Sequence, residues 1–516
     1  MLKSNILFLV VTICLSIGSQ VVIGSLLESY GIKLEDRQTV QLAPTGIYSP
    51  GESMSFCHDK CQIGQVCRNS TCTGCIDNLE CYDLNSQWIC SGGSPTDDDG
   101  LCVHKTLFHN EFTGLDMVGF ILLFIGCALS SGGGVGGGGI YIPVLILVSK
   151  WDPKSAIPLS NCLVAGCALA NLIQNFSRRH PHTDRHLIDY SVALLIEPLT
   201  LAGTIFGVYL HTLFPPLLIL LLLVVTLSFT AYKTITKGLD IAKAEKKKLN
   251  SEALLNKNQS SVNGAMEPFP TKMPRSRFYM FYDADWPKIC ILLVILTICT
   301  IFSILKGGND EYSIAGVRLC SPVYWVLSFI AVPLIIIAWV FTAKYLYKES
   351  NLKIKEGREI EGEIKYTKKN IVILGFLSII AGCLASLLGI GGGMIKGPVL
   401  LQMGLSPDVT AATSSYMILF TSASSAIQYI LVGKLRLDYG VVYYFIGFIS
   451  CFIGTQTLIW VVNKYKRRSY IVFLIGAVIA VSTVLLCVTE GIDFVKYRNL
   501  TFDSICTPAA ASGVSG

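Results

Sequence analysis

Lys396 and Glu197 are ionisable residues inside otherwise apolar stretches of this chain. Charge within a hydrophobic segment is costly, so such residues face partners, ligands or cavities. Lys396 could attract an anion, or snorkel to the surface along its aliphatic stem. Glu197, followed by Pro198, could carry a coupling proton or pair with Lys396. Neutral donors recur beside them: Ser160 and Asn161 in one apolar segment, Thr413, Ser414 and Ser415 in another. Small and hydroxyl residues also let membrane helices pack closely, which gives these positions a purely structural reading as well. The chemistry that such a set supports is the holding of a small anion. No paired intramembrane aspartates, Ser–His constellation or phosphate loop is present, so an enzyme is not expected.

These side chains need elements that bring them to mid-membrane. The candidates are two glycine-rich breaks, SGGGVGGGGIYIP at 131–143 and LGIGGGMIKGP at 388–398. Seven of the eight residues from Gly132 to Gly139 are glycine. Apolar stretches 115–130 and 371–387 precede the breaks, and short apolar pieces 140–148 and 395–403 follow them. Glycine adopts backbone angles closed to other residues, so a helix can break there. In a bilayer such a break survives only where it is buried in protein or lines a cavity. Gly134, Gly136 and Gly139 also satisfy G-x-G-x-x-G, a trivial match in so glycine-rich a run with no soluble strand–helix unit around it.

The two breaks are copies. Val135, Gly136, Gly137 and Gly138 align with Ile390, Gly391, Gly392 and Gly393 at an offset of 255, as Pro143 does with Pro398. After a one-residue slip, Pro153 aligns with Pro407, Ser160 with Ser414, Asn171 with Ser425 and Gln174 with Gln428. Lys396 falls opposite Tyr141, so a site shared by the copies is asymmetric. A helix that starts just after glycines presents unpaired N–H groups and the positive end of its dipole. Discontinuous helices at matching places in two halves point to a transporter's binding site. The expected substrate-binding set is therefore Gly136, Gly137, Gly138, Ser160, Asn161, Gly391, Gly392, Gly393, Lys396 and Ser414, with Glu197 the coupling candidate.

Composition agrees. The 516 residues are 52% hydrophobic and 15% charged, against about 25% charged in ordinary soluble domains. Mean hydropathy is +0.56. Several apolar runs reach the ~20 residues that cross a bilayer. The net charge of +6 then bears on membrane orientation more than on nucleic acid, and no nucleic-acid partner is expected.

In chain order, residues 1–24 read as a signal peptide, with Lys3, an apolar stretch and then small residues. Residues 25–112 form a module with Cys57, Cys61, Cys67, Cys72, Cys75, Cys81, Cys90 and Cys102, read as disulfide-forming and extracytoplasmic. Asn69 lies in a glycosylation sequon within it, and Asn499 in another near the C-terminus. No metal or cofactor is expected. Repeat 1 covers 113–232, with spans near 155–176, 188–210 and 213–232. A polar cytosolic loop, 233–286, reads as disordered. Two linking spans occupy 287–347, a cytosolic loop 348–370, repeat 2 371–490 and a tail 491–516. Repeat 2 has spans near 408–432, 437–461 and 469–489. Membrane-region cysteines read as small buried hydrophobes.

Charge sets the expected topology. If both glycine segments are re-entrant, the loops 177–187, 233–286, 344–370 and 463–470 share one side and hold 25 Lys and Arg. The connections 149–154, 306–321 and 433–438 hold 6. The positive-inside bias favours this arrangement. It makes the halves inverted repeats and puts Cys320 and Cys506 on the module's side, where they can pair. The expected fold is thus an all-α polytopic membrane protein of two inverted repeats, each with a Gly-broken re-entrant helix and about three spans, plus a disulfide-rich module.

At GVGGGGIYIP and GIGGGMIKGP, and at the helix starts KSAIPLSN and DVTAATSS, the sequence resembles the sulfite exporter TauE/SafE family. The resemblance covers about 115–232 and 371–489. It implies a transporter of small anions, sulfite or related sulfur oxyanions and organosulfonates. The paired breaks suggest alternating access between them, and the signal peptide with the cysteine module a secretory-pathway membrane. The module, the linking spans and the long loop depart from the compact bacterial pattern. The alternative is a membrane receptor or sensor whose Cys-rich module binds a ligand. Oligomeric state is not readable.

Overall fold

In a computed structural model of the chain, residues 114–131, 136–176, 186–258, 285–306, 321–355 and 366–465 are described continuously, with shorter stretches and single positions within 66–107 and 473–487 and at 178, 179, 317, 320 and 364. The signal peptide, Cys57, Cys61, Asn69, Asn499 and Cys506 lie outside the described residues. Two units separate, Met1–His104 with Cys487–Asn499, and Lys105–Leu486 with Leu500–Gly516.

The first unit contains two antiparallel hairpins. β1 (Val66–Arg68) pairs with β2 (Thr71–Thr73), placing Cys67 opposite Cys72. β3 (Trp88–Ser91) pairs with β4 (Leu101–His104), placing Cys90 opposite Cys102. The described bridges are Cys75–Cys90 and Cys81–Cys102, which interleave along the chain. Their small apolar cluster is the sulfurs themselves with Trp88. A cluster this small among the described residues contributes little burial, and covalent closure of loops supplies a constraint.

The second unit is helical. Its described helices are α1 (Gly114–Ser130), α2 (Gly138–Leu147), α3 (Pro153–Phe176), α4 (Tyr190–Leu213), α5 (Pro216–Asn258), α6 (Trp286–Lys306), α7 (Pro322–Lys355), α8 (Lys368–Leu388), α9 (Gly393–Gln402), α10 (Pro407–Leu431) and α11 (Leu437–Tyr465). Among the described residues, seven are long and apolar enough to cross a membrane: α3, α4, α5 over Pro216–Asp240, α6, α7, α8 and α11. Phe229, Phe341, Phe376 and Val372 stand exposed on the outer helices, as a lipid-facing surface requires. α10 has the length but falls short in hydropathy. Thr410, Thr413, Ser414, Ser415, Thr421, Ser422, Ser424, Ser425 and Gln428 are all buried on it, so this helix lies inside the bundle.

α5 departs from expectation. It runs on to Asn258, well into the stretch read as disordered loop. Ala, Glu, Lys and Leu dominate that extension, and all are strong helix formers. The remainder of the loop, 259–284, lies outside the described residues. α7 likewise continues to Lys355.

The start signals of α4 and α8 are local. Asp189 caps α4 by accepting from the amides of Ser191 and Val192 at 3.0 and 3.1 Å. Thr367 caps α8 by accepting from Asn370. The start of α1 is fixed by a buried Lys105–Asp116 ion pair at 2.5 Å and by Leu107, whose amide donates to Asp438 on α11.

Packing exchanges the helix that follows α3 in the first repeat and α10 in the second. α4 packs on α8 and α10, which belong to the second repeat, while α11 packs on α1 and α3, which belong to the first. α3 and α10, equivalent in the two repeats, pack on each other. The contact pattern is therefore preserved when the repeats are interchanged. The exchanged helices approach closely through glycine: a Cβ on Gly382 would overlap the Thr200 carbonyl, and one on Gly454 the Ala128 carbonyl. α6 and α7 pack on α4, and Trp339 Nε1 of α7 donates to the Leu195 carbonyl at 2.8 Å.

Candidate functional site at the paired helix breaks

Both half-helices begin at a left-handed glycine. Gly137 has φ 71° before α2 and Gly392 has φ 69° before α9. An L side chain is strained there, and at Gly137 a Cβ would also overlap the Tyr141 hydroxyl. Ile140 N donates to Gly137 O at 2.9 Å and Lys396 N to Gly392 O at 3.0 Å, so each helix starts immediately after its glycine.

The two breaks touch. A Cβ built on Gly138 would lie 2.5 Å from the Gly389 carbonyl oxygen and 2.5 Å from Ile390 Cα. Glycine is needed at that position because backbone meets backbone. Gly136 faces the Ile390 carbonyl, and Gly139 faces the Met394 side chain of α9. Ser160 Oγ donates to Gly389 O at 3.0 Å and to Ile157 O at 2.8 Å, tying α3 to the second break. Asn161 Nδ2 turns back onto its own helix at Ile157 O, 3.2 Å away. The Ser414 hydroxyl, the counterpart of Ser160, is buried without a hydrogen-bond partner among the described residues. Gly136, Gly137, Gly138, Ser160, Gly391, Gly392, Gly393 and Lys396 thus surround one junction.

Lys396 sits one turn into α9 and is 3% exposed; Glu197, a third of the way along α4, is fully buried. Lys396 Nζ lies 2.7 Å from Glu197 Oε2 and donates to Thr421 Oγ1 at 2.8 Å. Thr421 Oγ1, on α10, donates to Glu197 Oε1 at 2.7 Å. Each charge has its opposite and a hydroxyl, the pairing that a buried ion pair needs. The side chain of Lys396 points inward and does not snorkel.

Thr421 was not among the residues singled out by type. The pattern that marks it is a polar stripe at helical spacing on α10: Thr421, Ser424, Ser425 and Gln428. Ser425 Oγ meets Ser386 Oγ at 2.5 Å. Gln428 Nε2 donates to Ser424 at 3.0 Å and to Thr204 of α4 at 3.1 Å.

The first repeat has matching contacts with different chemistry. Asn171, the counterpart of Ser425, donates to the Ser131 carbonyl at 3.2 Å. Tyr141, the counterpart of Lys396, hydrogen-bonds Ser130 Oγ at 2.6 Å through its hydroxyl. Cys167 is the counterpart of Thr421 and also meets the exchanged helix. There it bonds to Cys451 of α11, with Cα atoms 5.1 Å apart. This corrects the reading of the membrane cysteines as plain hydrophobes, although Cys127, Cys162 and Cys299 are free and buried. Cys320 is disulfide-bonded to a residue outside the described set.

The sulfite exporter description now rests on more than two loops. The family described as Sulfite exporter TauE/SafE matches residues 118–265 and 276–482. The chain belongs to the sulfite exporter TauE/SafE family. Among its relatives, Sulfite exporter TauE/SafE family protein 1 of Arabidopsis thaliana is 33% identical over 404 residues, covering 76% of this chain and 88% of the relative. Sulfite exporter TauE/SafE family protein 2 of the same plant is 30% identical over 408 residues, with 77% and 88% covered. No solved structure matches the chain. As a TauE/SafE member with seven apolar spanning-length helices among the described residues, it is an integral membrane protein of a transporter family.

Proposed function

We propose that this protein carries small sulfur oxyanions, sulfite foremost, across a membrane, binding them where the two broken helices meet. The observation that carries the proposal is the buried Lys396–Glu197–Thr421 cluster beside two glycine-started half-helices. The half-helix N-termini offer amides and positive dipole ends to an anion. The names of the Arabidopsis relatives supply the chemical class, sulfite.

The geometry supports a defined sequence of events. With Glu197 ionised, Lys396 is neutralised and offers no net charge to a ligand. A proton on Glu197 removes that partner and leaves Lys396 as an unpaired cation. A singly charged hydrogensulfite ion then restores neutrality by taking the place of the carboxylate. Binding of the anion together with the proton leaves the buried site neutral before and after the step, where a net charge would cost several kcal/mol. Thr421, hydrogen-bonded to both groups, holds Lys396 in place throughout.

Alternating access follows from the exchanged packing. α1, α2 and α3 with α11 make one body; α8, α9 and α10 with α4 make the other. They meet along α3 and α10 and at the glycine breaks. Rocking of one body on the other opens the junction to each side in turn. In this reading the glycine segments are re-entrant, the repeats are inverted, and the Cys-rich module is extracytoplasmic. No observation favours the receptor alternative.

The test is uptake of radiolabelled sulfite into proteoliposomes with and without an inward proton gradient. Saturable uptake that the gradient accelerates is expected. Absence of uptake by folded protein overturns the transport reading; uptake indifferent to the gradient removes the proton from it.

A further inference from the structure

We propose that the Cys167–Cys451 disulfide is a covalent reaction site for nucleophilic sulfur anions of the class that the protein carries. The proposal rests on the transport reading for its ligand, but on independent residues for its chemistry. The bond joins α3 to α11, at the place where Thr421 and Glu197 join α10 to α4 in the other body. Cys167 borders a small void with Ser130, Gly136, Asn171 and Ser415. This void adjoins the first glycine break, where Gly136 faces the carbonyl of Ile390 in the second break. Its space admits about one water molecule. A trioxoanion is larger, so reaction belongs to the state in which α3 and α10 part, as transport requires.

The step balances without any further reagent. The sulfur lone pair of sulfite attacks Cys167 Sγ in line with the S–S bond. A new S–S bond forms to the SO3 group, the Cys167–Cys451 bond breaks, and its electron pair leaves on Cys451 as thiolate. Cys167 becomes an S-sulfonate, and the Cys451 thiolate takes a proton from water. Attack of that thiolate on the sulfenyl sulfur of Cys167 expels sulfite and restores the disulfide. Thiol–disulfide exchange follows the same course with a thiolate as the nucleophile.

Cys167, rather than Cys451, has the surroundings of the modified partner. Asn171 Nδ2 lies 3.9 Å from Cys167 Sγ, and the Ser130 and Ser415 hydroxyls border the same space. The N-terminus of α2 begins at the adjacent break and favours a negative group. Cys451 Sγ lies 3.2 Å from the Cys127 carbonyl oxygen, a ready acceptor for the released thiol. Cleavage uncouples α11 from α3, so the carried anion would loosen one clasp of the bundle as it passes.

The experiment uses the full chain in proteoliposomes, without reductant. Separate samples receive sulfite, sulfate or methanesulfonate, and are then quenched in acid, alkylated, digested and read by mass spectrometry. Before addition, the Cys167 and Cys451 peptides are expected as a cross-linked pair. Sulfite should dissolve that pair, add one SO3 to the Cys167 peptide and leave Cys451 alkylated; washing should restore the pair. Sulfate and methanesulfonate, whose sulfur has no lone pair to donate, should leave it intact. The Cys451→Ser variant, with no disulfide to attack, should show no SO3 on Cys167. The proposal is overturned by an intact pair in sulfite, by SO3 on Cys451 instead, by two free thiols before addition, or by the adduct in Cys451→Ser. Uptake measured in the same vesicles separates the two readings. The adduct without uptake supports this site and removes transport; uptake without the adduct does the reverse.

Discussion

Replacing Lys396 with Met is the most direct test of the buried cluster. Met fills a similar volume without charge, so the change isolates the ion pair. Glu197 is fully buried, and after the change its described hydrogen-bond partner is the Thr421 hydroxyl. Removing one member of a buried pair typically costs about 3–5 kcal/mol. A ceiling comes from protonation: a carboxyl with an ordinary value near 4.3 takes up a proton at pH 7 for about 3.7 kcal/mol. The expected loss for Lys396→Met is therefore about 3–4 kcal/mol at pH 7. It should shrink by about 1.4 kcal/mol for each pH unit of acidification, because protonation becomes cheaper by that amount. Glu197→Gln leaves Lys396 as the buried, unpaired charge and should cost a similar amount. The double variant Lys396→Met with Glu197→Gln contains no buried charge and should recover most of the loss. A double-mutant cycle on purified protein in detergent, read by thermal unfolding, measures the coupling directly. About 5–7 kcal/mol of coupling is expected, because two single losses of about 3–4 kcal/mol largely vanish in the double variant, and the single variants should melt lower by roughly 5–10 °C. Additive single effects, or a Lys396→Met loss that does not change with pH, would refute the buried pair.

Three other measurements bear on the same cluster and its frame. Glu197→Gln should retain residual sulfite uptake but lose its acceleration by a proton gradient; a preserved gradient effect would place the coupling proton elsewhere. Gly138→Ala, whose Cβ must share space with Gly389 O and Ile390 Cα at 2.5 Å, should abolish uptake and destabilise by about 1–3 kcal/mol. Gly392→Ala meets nothing nearer than Ala385 Cβ at 3.3 Å and should cost mainly the left-handed strain of about 1–2 kcal/mol, so equal damage from the two changes would contradict the contact between the breaks. Asn69 and Asn499 should accept glycans on expression in a secretory pathway and Asn258 should not, and a glycan on Asn258 would overturn the re-entrant topology.

The breaks and the spans are legible in the sequence because both are local. Seven glycines in eight positions inside an apolar segment have few meanings, and their copy 255 residues later removes most of the rest. Lys396 and Glu197 are conspicuous for the same reason, as charges where charge is expensive. What joins them is not local. Thr421 is one hydroxyl among nine buried Ser, Thr and Gln residues on α10, and only packing shows which one reaches the pair. The exchange of α4 and α11 between bodies depends on tertiary contacts that periodicity does not encode. Cys167 and Cys451 stand 284 residues apart in apolar sequence, where a cysteine ordinarily packs as a small hydrophobe. The extension of α5 to Asn258 had a readable signal in its helix-forming composition, but polarity pointed to loop.

The asymmetry between the copies has a mechanical meaning. A duplicated transporter needs two similar bodies to rock, but it needs only one place where ligand and coupling ion compete. In the proposed cycle the second repeat keeps that place: its half-helix bears Lys396, and the exchanged helix α4 brings Glu197 to meet it. In the first repeat Tyr141 stands where Lys396 would be, and its hydroxyl is engaged by Ser130. The exchanged helix there is held by a disulfide instead of a carboxylate. A proton can undo the ionic clasp and leaves the covalent one untouched. Protons therefore act on one body while the other stays fixed against them, which gives a symmetric scaffold a single proton-coupled site. If that division holds, converting the first repeat's clasp to a non-covalent one with Cys167→Thr and Cys451→Ser should preserve proton-driven uptake. Abolishing the ionic clasp should not. A double-cysteine variant that folds but no longer responds to the proton gradient would show that the two clasps are not independent, and the argument for one coupled site would fail with it.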